Sequence, residues 1–493
     1  MRGRGRLPPI ARRRAAHALM PTDPRGLRDD APLLDAWLRF QEAGPTPFTT
    51  PGHKHRQDLV GDVVAGDVPL YAGLDTLKLS NRVLAQAEAR AAALWGADVC
   101  RFSTGGSTHA NQALALAVGQ DGDKVVVSRT LHRSVLIGLV IAGLTPIWVR
   151  PQVDPETGLP LGVAPESVRR ALDEHPDARA VLVGDPSYVG TVGDVAGMAE
   201  AAHEHDVPLI VDAAWAGHFG FHPDLPGHPL QLGADAFVTS AHKSLTAYSQ
   251  AAMLFARTDR LDPARIDAGV EATATTSPAG SILASIDAAR ALLERDGDEL
   301  LGEAIAAIRG ARDRLQRVEG LTVLDGDGVD PAKLTLVLAG TGADGNAVEQ
   351  DLLAAGMPVE SADRDVIVAL ATLADTPGTL DRLADTIATS VERHRGEPRP
   401  VTEPASYRVE PVAAMPPRRA FFARTETVPV DDAVGRVCAE LIAPYPPGIP
   451  VLAPGEEVTE DAIEALHHAR DAGIRIAYAA DPGLKTVRVT AQG

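Results

Sequence analysis

Short apolar segments alternate with amphipathic segments between about residues 95 and 260 of the chain. The apolar segments carry near-continuous Val, Ile and Leu; they are "DVCRFST", "DKVVVSR", "TPIWVR", "ARAVLVGD", "VPLIVDAA", "ADAFVTS" and "AAMLFAR". Strands of this composition are buried on both faces, and the helical segments between them supply the cover. The pattern therefore predicts an α/β fold with a mainly parallel seven-stranded sheet and helices on both of its faces.

The chain has 493 residues, which predicts more than one domain, because a single core rarely extends beyond about 250–300 residues. The strand-like segments "GLTVLDG", "KLTLVLAG" and "DRDVIVALA" predict a small α+β domain, and a Pro-rich, charged stretch after it predicts a linker. The predicted boundaries are 1–30 for a basic tail, 31–95 for an N-terminal segment, 96–295 for the major domain, 296–395 for the small domain, 396–417 for the linker and 418–493 for a C-terminal domain.

The first residues are Arg-rich and almost free of acidic residues. They predict a disordered tail, or a stretch upstream of a true start at Met20, because no apolar segment follows them. A transit peptide or a basic arm is the alternative interpretation.

Composition excludes several classes of protein. The net charge of −19 argues against a general nucleic-acid binder, and no run of about 18 apolar residues predicts a transmembrane helix. The two cysteines, Cys100 and Cys438, lie far apart, which argues against a disulfide framework or a Cys-rich zinc site. We therefore expect a cytoplasmic protein with no metal site and no nucleic-acid or membrane partner.

In a parallel α/β sheet, ligands bind at the carboxyl ends of the strands. The first predicted strand is followed by "TGGSTHAN", which opens a helix. Gly105 and Gly106 allow a close backbone approach, while Ser107 and Thr108 bring hydroxyl and N–H groups to the helix N-terminus. These features predict a phosphate site, although a Gly-rich turn before a helix is common in other settings.

Lys243 is one of six lysines in a chain with 41 arginines, and it follows another predicted strand together with Ser240 and His242. Lysine can lose its proton and form a Schiff base, which arginine cannot. Asp212 and His132 follow two further strands. Singly, the three could be a loop lysine, a helix N-cap and a core histidine. Together with the phosphate site they predict pyridoxal phosphate, with Lys243 on the aldehyde, Asp212 at the pyridine nitrogen and His132 stacked on the ring.

Several motifs resemble those of the bacterial ornithine/lysine/arginine decarboxylases, which have the aspartate-aminotransferase fold (PLP fold type I). The motifs are "PFTTPGHKHR", "STGGSTHAN", "SRTLHRSV", "VDAAWAGHF", "SAHKSLTAYSQAAML", "TTSPAGSILASIDAAR" and "APYPPGIPVLAPGE". The resemblance runs from about Ala31 to the end of the chain. The last motif is the most specific, because ordinary aminotransferases lack it.

The resemblance implies the role of individual residues. Lys243 is implied as the Schiff-base lysine, Asp212 as the partner of the pyridinium and His132 as the stacking ring. The residues implied to surround the phosphate are Ser107, Thr108, Ser240 and His242, and Ala214 is implied to pack under the ring, opposite His132. The resemblance also implies a homodimer or larger homo-oligomer with its active sites between subunits.

The implied reaction is the α-decarboxylation of a basic amino acid, arginine or lysine and possibly ornithine, to CO2 and an amine of the polyamine pathway. Lys243 or His242 would return a proton to Cα. The distant cation of the substrate needs an acid, for which Asp75, Glu440 and Glu456 are candidates, with Glu456 favoured by its place in the last motif. A surface carboxylate is the alternative interpretation of each.

Two other functions remain open on the same residues. One is a different PLP reaction, such as transamination or oxidative deamination, which the "PYPPGIP" motif disfavours. The other is a catalytically silent binding protein, which the intact set of Lys243, Asp212 and His132 disfavours.

The chain departs from the resembled family at two places. Ala279 and Gly280 stand where Ser-Tyr is frequent, and "DAAW" stands where small members often have Glu-Ala-His after the Asp. We expect the first departure to reshape the substrate end of the pocket.

Overall fold

The structure is a computed structural model that describes residues 22–44, 48–68, 70, 74–75, 82–401, 404–445 and 448–491. Most of the predicted basic tail, including Met20, lies outside the described residues. Its last part, residues 22–30, packs against the body of the protein, since Leu27 is buried in a cluster with Ala31 and Ala291.

Fifteen α-helices are formed by the described residues: α1 Pro32–Ala43, α2 Gln57–Val60, α3 Val83–Trp95, α4 Gly106–Val118, α5 Arg133–Ala142, α6 Pro165–Glu174, α7 Val195–His203, α8 Ala241–Ser244, α9 Pro263–Thr273, α10 Gly280–Leu315, α11 Gly345–Ala354, α12 Pro377–Arg393, α13 Ala405–Arg408, α14 Pro417–Phe422 and α15 Glu460–Asp471. None of the helices in this part of the chain is long and apolar enough to cross a membrane.

The same residues form seventeen strands: β1 Val99–Ser103, β2 Lys124–Ser128, β3 Thr145–Val149, β4 Pro151–Val153, β5 Pro160–Val163, β6 Val181–Gly184, β7 Leu209–Asp212, β8 Ala236–Thr239, β9 Ala252–Ala256, β10 Thr322–Val323, β11 Lys333–Val337, β12 Ser361–Ala362, β13 Val366–Leu370, β14 Thr425–Pro429, β15 Ala443–Tyr445, β16 Arg475–Ala477 and β17 Thr486–Thr490.

The central sheet has seven strands in the order β1-β9-β8-β7-β6-β2-β3. β9 runs antiparallel to both of its neighbours, while all the other neighbouring pairs are parallel. The predicted mainly parallel seven-stranded sheet is therefore confirmed. The carboxyl ends of β6, β7 and β8 are adjacent at one edge of this sheet, which brings the loops that follow them together.

Both faces of the sheet are covered. On β2, Val125 and Val127 belong to one apolar core and Val126 to the other, as expected when successive side chains of a strand point to opposite faces. Helices α4, α5 and α9 supply residues to the first core, and α3, α6, α7 and part of α10 supply residues to the second. Burial on both faces explains the near-continuous apolar composition of the strands.

The small domain is built around a four-stranded antiparallel sheet in the order β10-β11-β13-β12. Helices α11 and α12 and the last turns of α10 cover it with one apolar core. Helix α10 has 36 residues and continues from the major domain into this core. The predicted boundary between residues 295 and 296 therefore falls inside a continuous helix.

The C-terminal domain has its own core around α15, β16 and β17. It is joined to the major domain by a buried ion pair in which both Glu456 oxygens bind the Arg129 guanidinium, at 2.5 and 2.9 Å. Arg129 directly follows β2, so this pair holds the C-terminal domain beside the carboxyl edge of the central sheet.

Candidate active site

A cavity of about 660 Å³ opens at the carboxyl edge of the central sheet. Its floor is formed by residues that follow β6, β7 and β8 and by the first turns of α4 and α5. The small domain closes it on one side, and the C-terminal domain adds residues such as Tyr445 and Tyr478. The volume suits a cofactor together with a small substrate.

Lys243 lies in α8, a single helical turn that starts directly after β8. Burial lowers the pKa of its amine, and the negative charges of Asp212 and Glu360 oppose that shift. Its Nζ lies 3.9 Å from the centroid of the Trp215 ring. A lowered pKa increases the fraction of neutral amine near pH 7, and the neutral amine is the nucleophile.

Asp212 is the last residue of β7. Its Oδ2 accepts a hydrogen bond from Asn111 Nδ2 at 2.9 Å, which fixes the carboxylate in one orientation. Its Oδ1 is buried and has no hydrogen-bond partner among the described residues. A buried carboxylate oxygen without a donor costs free energy. Oδ1 is therefore available to accept a hydrogen bond from a donor in the cavity.

His132 is the N-cap of α5 and is held by Ser134. The Ser134 backbone N–H donates to His132 Nδ1 at 3.2 Å, and the Ser134 hydroxyl lies 2.8 Å from the same nitrogen. Since Asn111 Nδ2 donates to that hydroxyl at 3.0 Å, the hydroxyl in turn donates to Nδ1. Nδ1 is thus an acceptor, and a neutral ring carries its proton on Nε2. Burial lowers the pKa of His132, against the opposing charge of Asp212, which favours the neutral ring at pH 7.

The phosphate-binding features lie at the start of α4. Gly106 has a φ of +70°, and a Cβ placed there would meet no atom within 4 Å, so the space above it is open. The Ser107 hydroxyl is in hydrogen-bond contact with the Ser240 hydroxyl, which joins the loop after β1 to the loop after β8. The first N–H groups of a thirteen-residue helix have no partner within the helix and attract an anion.

His242 is fixed by a hydrogen bond between its Nδ1 and the Ala251 carbonyl, at 2.8 Å. A carbonyl oxygen only accepts, so Nδ1 carries the proton and Nε2 of the neutral ring is left as an acceptor. Burial lowers the pKa of His242, against the opposing hydrogen bond to Ala251, which again favours the neutral ring.

All the residues that the sequence predicts around the cofactor line this one cavity. They are Gly106, Ser107, Thr108, His132, Asp212, Ala214, Ser240, His242 and Lys243. Their roles toward a cofactor stay predictions, but the positions that those roles require are present together.

The three acids predicted to bind the substrate cation lie elsewhere, and none of them lines the cavity. Glu456 is occupied by Arg129 and by the Ala453 backbone N–H at 2.8 Å. The two oxygens of Glu440 accept the Ala480 and Arg488 backbone N–H groups. The structure therefore gives Glu456 and Glu440 structural contacts within the C-terminal domain and at its border.

Asp75, the third candidate, accepts the Leu84 backbone N–H at 2.7 Å and is buried. Within a single chain, the Asp75 carboxylate therefore binds a backbone N–H group in the first turn of α3. This position does not support the expectation that Asp75 binds the cation of the substrate side chain.

Gly280 also lies away from the cavity. It is the first residue of α10, and a Cβ at this position would lie 2.8 Å from the Val68 carbonyl oxygen and 2.9 Å from Leu74 Cδ2. The glycine is required by a close approach between α10 and the N-terminal segment. The expected effect of this departure on the pocket is therefore not supported by its position.

Several residues of the site were missed by the sequence reasoning. Asn111 stands one helical turn after Ser107, in the motif that already suggested a phosphate site. Tyr188 follows β6 and could have been found, because the neighbouring strands β7 and β8 supply Asp212 and Lys243. Glu360 comes from the small domain and carries no pattern in the sequence that connects it with the central sheet.

Glu360 differs from the other carboxylates of the cavity. Asp365 binds Arg364 and Arg399, and Asp363 accepts two backbone N–H groups. Glu360 is exposed and has no ion-pair partner among the described residues; its closest polar contact is the Tyr188 hydroxyl, at 3.5 Å. Burial lowers the pKa of Lys243 and raises the pKa values of Tyr188 and Tyr445; the negative charge of Glu360 opposes the first shift and adds to the other two, so Glu360 acts on groups of both the major and the C-terminal domain.

Solved structures share this architecture. The chain matches the crystal structure of the Francisella novicida lysine decarboxylase LdcF with a TM-score of 0.78 and 21% identity, covering 94% of this chain and 81% of that one. A match of the same kind is found with lysine decarboxylase A from Pseudomonas aeruginosa, at a TM-score of 0.76 and 22% identity, covering 94% of this chain and 81% of that one. At these identities the likeness shows the fold.

Sequence comparisons show the family. The model of the Orn/Lys/Arg decarboxylase major domain matches residues 31–337, and the model of the C-terminal domain of the same family matches residues 401–475. A protein of Bacillus subtilis (strain 168) named arginine decarboxylase is 33% identical over 479 residues, which cover 93% of this chain and 98% of that protein. The lysine decarboxylase LdcA of Pseudomonas aeruginosa is 28% identical over 504 residues, covering 78% and 67%.

The protein is an amino-acid decarboxylase by class. This follows from the central sheet with its site at the strand ends and from the match to the model of the decarboxylase major domain. Within that class, the chain belongs to the Orn/Lys/Arg decarboxylase family.

Proposed function

We propose that this chain decarboxylates a basic amino acid, with arginine preferred, through pyridoxal phosphate held on Lys243. The observation that carries the proposal is one cavity that is lined both by a desolvated lysine, Lys243, and by Glu360, a carboxylate without an ion-pair partner among the described residues. Such a cavity can hold a reacting amino group and a distant cation at the same time.

The residues of the cavity fit pyridoxal phosphate. The buried Asp212 Oδ1, for which the described residues supply no donor, suits the protonated pyridine nitrogen, and the open space above Gly106 at the start of α4 suits the phosphate. Lys243 supplies the amine that binds the aldehyde. When bound, the cofactor supplies an electron sink for the bond that is broken at Cα.

The protein groups around this position have distinct tasks in the proposal. Asn111 holds the Asp212 carboxylate in a fixed orientation, and a carboxylate beside a nitrogen favours a proton on that nitrogen. His132, neutral and anchored through Ser134, offers a flat ring face without adding a positive charge. Lys243 is the favoured proton donor to Cα, because burial lowers the pKa of its amine from its ordinary value toward neutral pH. His242 can serve only by relaying a proton through Nε2, since burial lowers its pKa and its Nδ1 proton is held by the Ala251 carbonyl.

Glu360 is proposed to bind the cation of the substrate side chain. Tyr188 lies beside it, and the Tyr445 ring of the C-terminal domain, 42% exposed, lines the same part of the cavity. A carboxylate between aromatic rings suits a planar guanidinium, which forms paired hydrogen bonds and stacks on rings better than an ammonium does. The Bacillus subtilis relative that is 33% identical to this chain is named arginine decarboxylase, which agrees with this preference.

A homodimer is also part of the proposal. Apolar side chains of the N-terminal segment are exposed in the single chain: Phe48 is 96%, Leu59 68% and Val63 84% exposed. Large apolar side chains that are this fully exposed are candidates for burial against a second subunit. Light scattering coupled to gel filtration should give about twice the mass of the 51.7 kDa chain or a higher multiple; a monomer at micromolar concentration contradicts this part.

The function is tested by incubating the protein, loaded with pyridoxal phosphate, separately with L-arginine, L-lysine and L-ornithine. We expect CO2 and the corresponding amine, fastest with arginine, and a reaction slower by about 10³-fold or more with Lys243→Ala. Formation of a keto acid in place of CO2 would support transamination instead. A faster reaction with lysine or ornithine would retain the decarboxylase and overturn the preference.

A further inference from the structure

Lys333 is a buried lysine that the proposed chemistry does not use. It is the first residue of β11 in the small domain and is 1% exposed. Its Nζ has no hydrogen-bond partner among the described residues. Burial of an amine without a hydrogen bond is costly, and groups kept under such conditions beside a cleft are candidates for a functional role.

Aromatic rings surround this amine. Lys333 Nζ lies 3.4 Å from the centroid of the Trp215 ring and 5.6 Å from that of Tyr188. The stem of Lys333 reaches the rings past Gly190, where a Cβ would lie only 2.6 Å from Lys333 Cβ. Ring faces attract a cation and partly replace the water that Lys333 has lost.

Trp215 is shared with the proposed cofactor lysine. Lys243 Nζ lies 3.9 Å and Lys333 Nζ 3.4 Å from the same ring centroid, so at most 7.3 Å separates the two nitrogens. Lys243 lines the cavity and Lys333 does not. The indole is therefore in contact with one amine of each domain.

The charged groups that act on Lys333 are Asp330, Glu360 and Lys243. Asp330 lies in the loop that leads into β11, and its Oδ1 is 3.0 Å from His218 Nε2, so much of its charge is directed to that histidine. Burial lowers the pKa of Lys333 to about 8, and the charge of Lys243 contributes to the lowering. Lys333 is accordingly protonated at pH 7 and neutral at pH 10.

We propose that Lys333 is a positioning residue for Lys243: its ammonium holds the Trp215 indole by a cation–π contact, and its positive charge favours the neutral form of the Lys243 amine. The inference rests on the proposed role of Lys243. Two positive charges within 7.3 Å repel each other, and repulsion in a desolvated site lowers the affinity of each amine for its proton.

The small domain thereby acts on the nucleophile of the major domain. Lys333 begins β11, one of the two inner strands of the small-domain sheet, whereas Trp215 and Lys243 follow β7 and β8. A displacement of the small domain would remove the charge from behind the indole and return Lys243 toward its ordinary proton affinity.

The experiment measures the reactivity of Lys243 in the full chain freed of pyridoxal phosphate. Each lysine is acetylated with limiting acetic anhydride at pH 7 and at pH 10, and the yield at Lys243 is read by mass spectrometry relative to the exposed Lys485. In Lys333→Met we expect the relative yield at Lys243 to fall about tenfold at pH 7, because one charge within 7.3 Å is lost. At pH 10, where Lys333 is neutral in the parent, the two proteins should agree.

Control variants separate charge from structure. Lys333→Arg keeps the charge and should retain the parent yield at pH 7, while Lys124→Met, which removes a lysine on the surface, should change nothing. An unchanged yield in Lys333→Met, or a fall of equal size at both pH values, overturns the proposal.

A second measurement needs no variant, in case Lys333→Met does not fold. The parent profile of Lys243 reactivity against pH should show two steps, since the pair loses its protons one after the other. A single step overturns the proposal. Neither measurement depends on decarboxylation, so failure of the proposed function would appear separately, as missing CO2 with an intact profile.

Discussion

The part of the cavity around Lys243 and Asp212, called here the cofactor end, is formed by residues that follow neighbouring strands of one sheet. The part around Glu360, called the distal end, is formed by three separate parts of the chain. At the cofactor end, Asp212, Asn111, Ser134 and His132 form one continuous chain of hydrogen bonds. At the distal end, Tyr188, Glu360 and Tyr445 come from the major, small and C-terminal domains; the Tyr188 hydroxyl and Glu360 make a weak contact of 3.5 Å. The side chains at the cofactor end are oriented by hydrogen bonds to one another, whereas the geometry of the distal end depends on how the domains pack.

This difference suggests a division of tasks. Groups in a buried, fully oriented network set the reactivity of a bound cofactor for any substrate, because they are fixed before the substrate arrives. Groups on separate domains determine which side chain fits. Changes at the cofactor end should therefore lower the rate with every amino acid, and changes at the distal end should alter the ranking of substrates.

Lys243→Ala is expected to have the largest effect. Without the amine no cofactor can be attached covalently, and kcat should fall by about 10³-fold or more with every substrate. Borohydride reduction followed by peptide mass spectrometry should find the cofactor on the Lys243 peptide of the parent only. Lys124→Ala is the matched control and should behave as the parent. Attachment of the cofactor at another lysine would contradict the assignment.

Asp212→Asn should retain bound cofactor and lose roughly 10²–10³-fold in kcat, because a neutral amide cannot keep the pyridine nitrogen protonated. The ranking of arginine, lysine and ornithine should stay the same, since the change acts at the cofactor end. Asp206→Asn, at a side chain that is 95% exposed, is the control. Activity within about threefold of the parent, or less than roughly 1 kcal/mol in the barrier, would count against the role of Asp212.

Glu360→Gln should raise KM for arginine by about 10–100-fold, since a hydrogen bond to a charged partner contributes about 1.5–3 kcal/mol. The effect on kcat should be smaller, and absorbance of the bound cofactor should be unchanged. Glu392→Gln, in the same domain and paired with Arg395 on the surface, serves as control. Equal losses in kcat and in kcat/KM would mean that Glu360 acts on the chemical step. That result would contradict the division between residues that set reactivity and residues that choose the substrate.

Gly280→Tyr should have the smallest effect on substrate choice. The ring has no room beside the Val68 carbonyl, so we expect a loss of stability of about 1–3 kcal/mol or more and an unchanged ranking of the three amino acids. Melting curves and steady-state kinetics measure both. Gly310→Tyr, in the same helix but with no atom within 4 Å of a Cβ, should melt close to the parent. An altered ranking would mean that the departure at Ala279 and Gly280 does reshape the pocket.

Local sequence determined the central sheet and the cofactor end. The apolar strands can be recognised in the sequence because both faces of each strand are buried, as Val125, Val126 and Val127 illustrate. Residues directly after β7 and β8 are brought together by parallel pairing alone, so the grouping of Asp212, Ser240 and Lys243 could be predicted from their places after the strands. The resemblance to the decarboxylases rested on motifs of the same kind and was confirmed by the family models.

Only the tertiary structure decided the distal end and the second lysine. Glu360 and Lys333 reach the site because the small domain packs against the major domain, and no local pattern encodes that packing. Other tertiary contacts paired Glu456 of the C-terminal domain with Arg129 of the major domain and placed Gly280 against Val68 of the N-terminal segment, away from the cavity. A carboxylate or a glycine looks the same in a sequence wherever it lies, because its role is set by neighbours that are distant along the chain.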